Sequence, residues 1–126
     1  MSERYERGVE ILGALNGGAG ERVLERLKAI SPDFARFVAE FVFGDIYSRP
    51  QLDLKTRQIV TISALASLGT AQQQLAVHLR GALRVGLRRE EIIELLIQIA
   101  VYAGFPAAIN ALDVAQTVFS ENAVAK

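Results

Sequence analysis

The chain has 126 residues, 51% hydrophobic and 22% charged, with 14 basic side chains against 14 acidic ones and no cysteine. That length makes one domain with a real core, and that apolar content excludes disorder. The cancelled charge leaves no electrostatic footprint for nucleic acid or an anionic membrane, and the missing cysteine removes disulfides, thiolate metal sites and cysteine redox chemistry.

A zinc or iron site would need carboxylates beside the single histidine, and none cluster at ligand spacing, so no metal is expected. The first residues, MSERYERGVEILGAL, are charged and lack an apolar signal region. No apolar run approaches membrane-spanning length. A cytoplasmic protein is expected.

In chain order, Ser2 begins a short amphipathic helix that stops at the breaker cluster Asn16–Gly18. A second helix, about Glu21 to Ala29, ends before Ser31, which suits an N-cap. Pro32 fits the first helical position behind it, and Asp33 fits the helix dipole. Phe34, Phe37 and Phe41 follow at helical spacing and read as a core stripe. YSRPQLD (47–53) breaks the pattern, and Asp53 can cap a helix running to Gly69. Thr70 can cap the next, which Gly86 ends. From Arg88, RREEIIELLIQIAVYAG places acids in its first turn and a glycine at its end, and Pro106 opens a last helix through Glu121. No segment alternates with period two, so the chain reads as all-α.

Two of these helices are apolar on every side. Ile59, Val60, Ile62, Leu65, Ala66 and Leu68 surround one axis; Ile92, Ile93, Leu95, Leu96, Ile97, Ile99 and Val101 surround another. Such a helix must be covered all round. A small domain can enclose one, and two predict that a second subunit supplies the cover.

His78 lies about 60° off the stripe formed by Leu75, Leu79, Ala82 and Gly86. Its flank holds Gln74 one turn earlier, with Ala71, Gly81 and Val85. This layout fits a pocket wall. It also fits an edge-of-core histidine satisfied by Gln74 or a carbonyl, the more ordinary arrangement. Arg57 enters a greasy helix, so its charge calls for water, a carboxylate such as Asp53 one turn back, or an anionic ligand. Tyr102 can pack its ring and present its hydroxyl to a cavity, or serve as a core tyrosine with a backbone partner. Arg80 and Arg84, one turn apart, read as a solvated or subunit-facing strip.

The stretches GDIYSRPQLDLKTRQIVTISALASLG and QLAVHLRGALRVGLRREEIIELLIQIAVYAGFPAAINAL resemble the carboxymuconolactone decarboxylase family, over about Phe34 to Phe119. The pieces that carry the likeness are HLRGAL, the GLRREEI that follows, and YAGFPAAINA, in that order and at these separations. The resemblance implies an all-α, single-domain subunit built around a helical hairpin, like alkyl hydroperoxide reductase D, assembling as a homotrimer or hexamer. It divides the chain into an N-terminal helical extension (1–30), the family domain (31–120) and a frayed tail (121–126).

One branch of that family carries Cys-x-x-Cys-x-x-x-His and performs disulfide exchange. Here the two cysteine positions are Ala71 and Gln74, so thiol peroxidase chemistry has no nucleophile. The resemblance is to the other branch, which keeps the histidine alone and includes a decarboxylase of aromatic-acid breakdown in a β-ketoadipate-type pathway. Many of those relatives have glutamate where Gln58 and Gln74 stand. By that resemblance the expected activity is a cofactor-free carboxy-lyase on a small, anionic, unsaturated lactone or carboxylate. The substrate is its own electron sink. His78 would be proton donor, Arg57 would bind a carboxylate, and Tyr102 or Gln74 would donate to the lactone oxygen, with Gln74 also orienting the imidazole. The alternative is a catalytically silent helical oligomer with a binding or scaffold role.

Overall fold

In the computed structural model, which describes residues 2–124, with side chains to Glu121, every regular element is helical. Two compact units divide the chain, one ending at Leu54 and the other beginning at Lys55. Residues 31–53 therefore group with the N-terminal helices.

In the first unit, the Ser2 hydroxyl accepts from the Tyr5 N–H at 3.1 Å and starts α1, Glu3–Asn16. Gly17, at φ +57°, turns the chain into α2, Gly18–Ile30. Ser31 caps α3, Pro32–Phe37, by accepting from the Phe34 N–H at 3.2 Å, with Pro32 in the position where its missing N–H costs nothing. The helix then widens without a break into a π-helical stretch, Val38–Ile46. Its end is marked by the Tyr47 N–H, which donates to the Val42 carbonyl five residues back at 2.9 Å.

Phe34, Phe37 and Phe41 do not form the expected core stripe; they stand 56, 55 and 56% exposed. The buried side is Ala35 on α3 and Ala39, Phe43 and Gly44 on the π-helical stretch; α3 packs against α2 and the π-helical stretch against α1. That contact is backbone on backbone. A Cβ on Gly8 would lie 1.8 Å from the Ala39 carbonyl oxygen, and one on Gly44 would lie 2.3 Å from that of Arg4. Only small residues allow such an approach, and the wider π turn breaks the 3.6-residue spacing on which a stripe depends. Arg4 grips Asp45 with two nitrogens at 2.7–3.1 Å, and the Arg7 Nε–H donates to the Gly44 carbonyl at 2.7 Å.

The second unit comprises α4 (Leu54–Leu68), α5 (Gln72–Arg84), α6 (Arg89–Ala103) and α7 (Phe105–Val124). Gly69, Gly86 and Gly104 separate them, all at positive φ. Thr70 does not cap α5. The helix begins one residue later than expected, and the Gln72 side-chain amide closes the turn by donating to the Gly69 carbonyl at 2.7 Å. Glu91 accepts from the Arg88 N–H at 2.9 Å and so satisfies an otherwise orphaned donor of α6. The core is a single cluster in which Ile62, Leu79, Ile92, Leu96, Ala115 and Val118 are essentially inaccessible.

The two all-round apolar helices are each covered on one side only. α4 buries Gln58, Ile62 and Ala66 and leaves Val60 and Leu68 exposed. α6 buries Ile92, Leu96, Ile99 and Ala100 while Ile97 and Val101 stay in the open. Arg80, expected in a solvated or subunit-facing strip, holds Glu121 through two bonds of 2.9 Å. Part of the segment expected to fray, 121–124, thus continues α7, and residues 125–126 lie outside the described residues. Among the described residues no helix is long and apolar enough to cross a membrane.

Candidate active site

The core stripe of α4 contains one polar residue. Gln58, Ile62 and Ala66 follow at four-residue spacing, and Gln58 is completely buried. A buried amide is costly unless its donor and acceptor are both engaged. Both are, by a single residue on α5. The Gln58 Nε2 donates to the His78 backbone carbonyl at 3.1 Å, and the Gln58 Oε1 lies 3.2 Å from the His78 Nδ1.

α5 turns Leu75, Leu79 and Ala82 to the core and carries His78 half-buried on the flank of that stripe. Gly81 is buried beside it. Loss of water around the ring pushes its pKa down to about 4, with burial as the cause, so the ring is neutral at pH 7. Its other nitrogen, Nε2, makes no hydrogen bond among the described residues.

The other expected site residues are placed differently. Gln74, one turn before His78, is exposed, and the orienting contact expected of it is made by Gln58. Tyr102 is 87% exposed, so neither a core nor an enclosing cavity surrounds its ring. Arg57 is half-buried and engaged by its neighbours. As the residue before Gln58 it points about 100° away around α4.

In the sequence Gln58 stands out only as a place where relatives carry glutamate. A local signal was available: it is the single amide on an otherwise apolar i, i+4, i+8 stripe, and such a residue needs a polar partner. That the partner would be His78, twenty residues on, required the packing of α4 on α5.

The carboxymuconolactone decarboxylase family model matches residues 32–117. The chain is similar to 4-carboxymuconolactone decarboxylase of Acinetobacter baylyi, 36% identical over 98% of this chain and 92% of that protein. It is 32% identical to an uncharacterized 15.0 kDa protein from the nqo9–nqo10 intergenic region of Paracoccus denitrificans, over 96% of this chain and 91% of the relative. A third relative is nitrosuccinic acid decarboxylase of Metarhizium robertsii, 30% identical over 93% and 82%. The match spans most of the chain and runs across the residues that form the Gln58–His78 pair. The protein belongs to the carboxymuconolactone decarboxylase family, as a member without cysteine.

Proposed function

We propose that the protein is a cofactor-free carboxy-lyase that removes carbon dioxide from a small anionic substrate and returns a proton to carbon through His78. The observation that carries this reading is a half-buried, neutral histidine held by a buried amide, in a chain whose relatives include two decarboxylases. The substrates those relatives are named for, an unsaturated lactone acid and a nitro diacid, share one feature. Each places a carboxylate where the departing electron pair has an acceptor within the same molecule.

The reaction balances simply. The bond from carbon to the carboxylate breaks, carbon dioxide leaves, and the electron pair passes to the carbonyl or nitro oxygens. One proton from solvent then ends on carbon. His78 is neutral in the free protein, and an anion bound beside it favours the imidazolium and so loads the ring for delivery. Arg57 is the candidate partner for a substrate carboxylate. In a β-ketoadipate-type route of aromatic-acid breakdown, 4-carboxymuconolactone is the first compound to try.

The protein works as a homo-oligomer, a trimer or hexamer. Ile97 and Val101 stand one turn apart on α6, and Phe105 and Ile109 one turn apart on α7, each more than half exposed. Covering what remains exposed of four such side chains is worth roughly 1–2 kcal/mol apiece. Val101→Asp is expected to dissociate the assembly in sedimentation experiments. A wild-type protein found wholly monomeric at micromolar concentration would remove this part of the reading.

The activity test incubates the purified protein with 4-carboxymuconolactone and, separately, with nitrosuccinate, and follows carbon dioxide release. Turnover of either is the expected result. A folded protein that releases carbon dioxide from neither overturns the decarboxylase assignment on these substrates and favours a silent scaffold.

A further inference from the structure

We infer that Gln58 is a positioning residue: its buried amide fixes His78 as the Nδ1–H tautomer and so makes Nε2 the nitrogen that exchanges protons. The inference rests on the acid–base role of His78 proposed above for its functional meaning, while the tautomer itself is a property of the free protein.

The argument begins at the His78 backbone carbonyl, which can only accept. The group facing it at 3.1 Å must be a donor, so the Gln58 NH2 points there. The amide oxygen then faces the ring, 3.2 Å from Nδ1. That oxygen can only accept. The proton between them therefore sits on Nδ1, and in the neutral ring Nε2 carries the lone pair. Both contacts come from one side chain with no exposed surface, so the amide cannot turn over without breaking both bonds in the core.

Two consequences follow for chemistry. The neutral ring can act first only as a base, through Nε2, and becomes a donor after Nε2 has been loaded. An amide also cannot take the Nδ1 proton, so position 58 holds the ring but relays nothing. A carboxylate would behave differently here. Its second oxygen would face the His78 carbonyl with no proton between two acceptors, and its charge would favour the imidazolium. Glutamine thus keeps the pair uncharged and the working nitrogen single.

The test is nitrogen NMR on protein labelled with 15N histidine, without substrate, at neutral pH. The chain has one histidine, so no assignment is needed. Wild type is expected to show Nδ1 protonated and Nε2 unprotonated. Gln58→Leu, which keeps bulk but removes the acceptor, is expected to shift the population until the Nδ1–H form is a minority. Gln58→Met serves if the leucine variant does not fold. With an identified substrate, the same variants are expected to lose on the order of tenfold in kcat, with KM little changed.

An Nε2–H tautomer in wild type overturns the inference, as does an Nδ1–H tautomer that persists unchanged in the folded variant. Failure of the decarboxylase reading looks different: the tautomer responds to Gln58 as described while no carbon dioxide is released.

Discussion

Replacing His78 by asparagine is expected to lower turnover by about a hundredfold or more, the scale on which a positioned proton donor acts. Asparagine is the informative choice because its side-chain NH2 occupies the place of the imidazole Nδ1. It can still donate to the Gln58 oxygen, so the buried amide keeps its partners and the fold survives. What it deletes is Nε2. Steady-state rates on a confirmed substrate, with melting curves alongside, check both halves. Unchanged activity per folded molecule would end the acid–base role of His78.

The same variant carries a pH signature. The His78 pKa falls from 6.5 to about 4 on folding, so between those values the unfolded chain holds more of the proton than the folded one. Stability is therefore complete above about pH 6.5 and is lost as pH falls through that window, by roughly 3 kcal/mol at pH 4. Carboxylates titrate near the lower end in both proteins, and the difference between wild type and His78→Asn isolates the histidine. The variant is expected to lose less stability in acid. Parallel stability profiles from pH 7 to 4 would mean that the ring is not neutralised by burial.

Gly8→Ala is expected to destabilise the first unit by on the order of 3 kcal/mol, at the upper end of overpacking costs. The added methyl would sit 1.8 Å from a backbone oxygen of Ala39, and backbone in a packed helix cannot swing aside as a side-chain tip can. Gly13→Ala on the same helix is the control. Nothing lies within 4 Å of its added Cβ, and alanine is the better helix former by about 0.8–1 kcal/mol, so that variant should be stabilised. Denaturant unfolding of both gives opposite signs. Equal effects would show that α1 and the π-helical stretch do not meet through Gly8.

The sequence by itself determined the helices and most of their ends. Ser2 and Ser31 have hydroxyls that satisfy orphaned N–H groups, and Gly69, Gly86 and Gly104 adopt a positive φ that other residues resist; such preferences act over one or two turns and need no distant partner. The order of HLRGAL, GLRREEI and YAGFPAAINA was likewise enough for the family, which the match over residues 32–117 bears out. Thr70 marks the edge of that reach, because a cap depends on which way the preceding turn delivers the chain. Tertiary structure decided whatever depended on neighbours far along the chain. Phe34, Phe37 and Phe41 had the spacing of a core stripe, but contact between α1 and the π-helical stretch required backbones to touch, so Ala39 and Gly44 took the point of contact. The partner of His78 was decided in the same way. Gln74 was adjacent by helical geometry and Gln58 was twenty residues away. A buried amide with no access to water must find both a donor and an acceptor within the core, and the packing of α4 against α5 gave it the carbonyl and the ring of one residue.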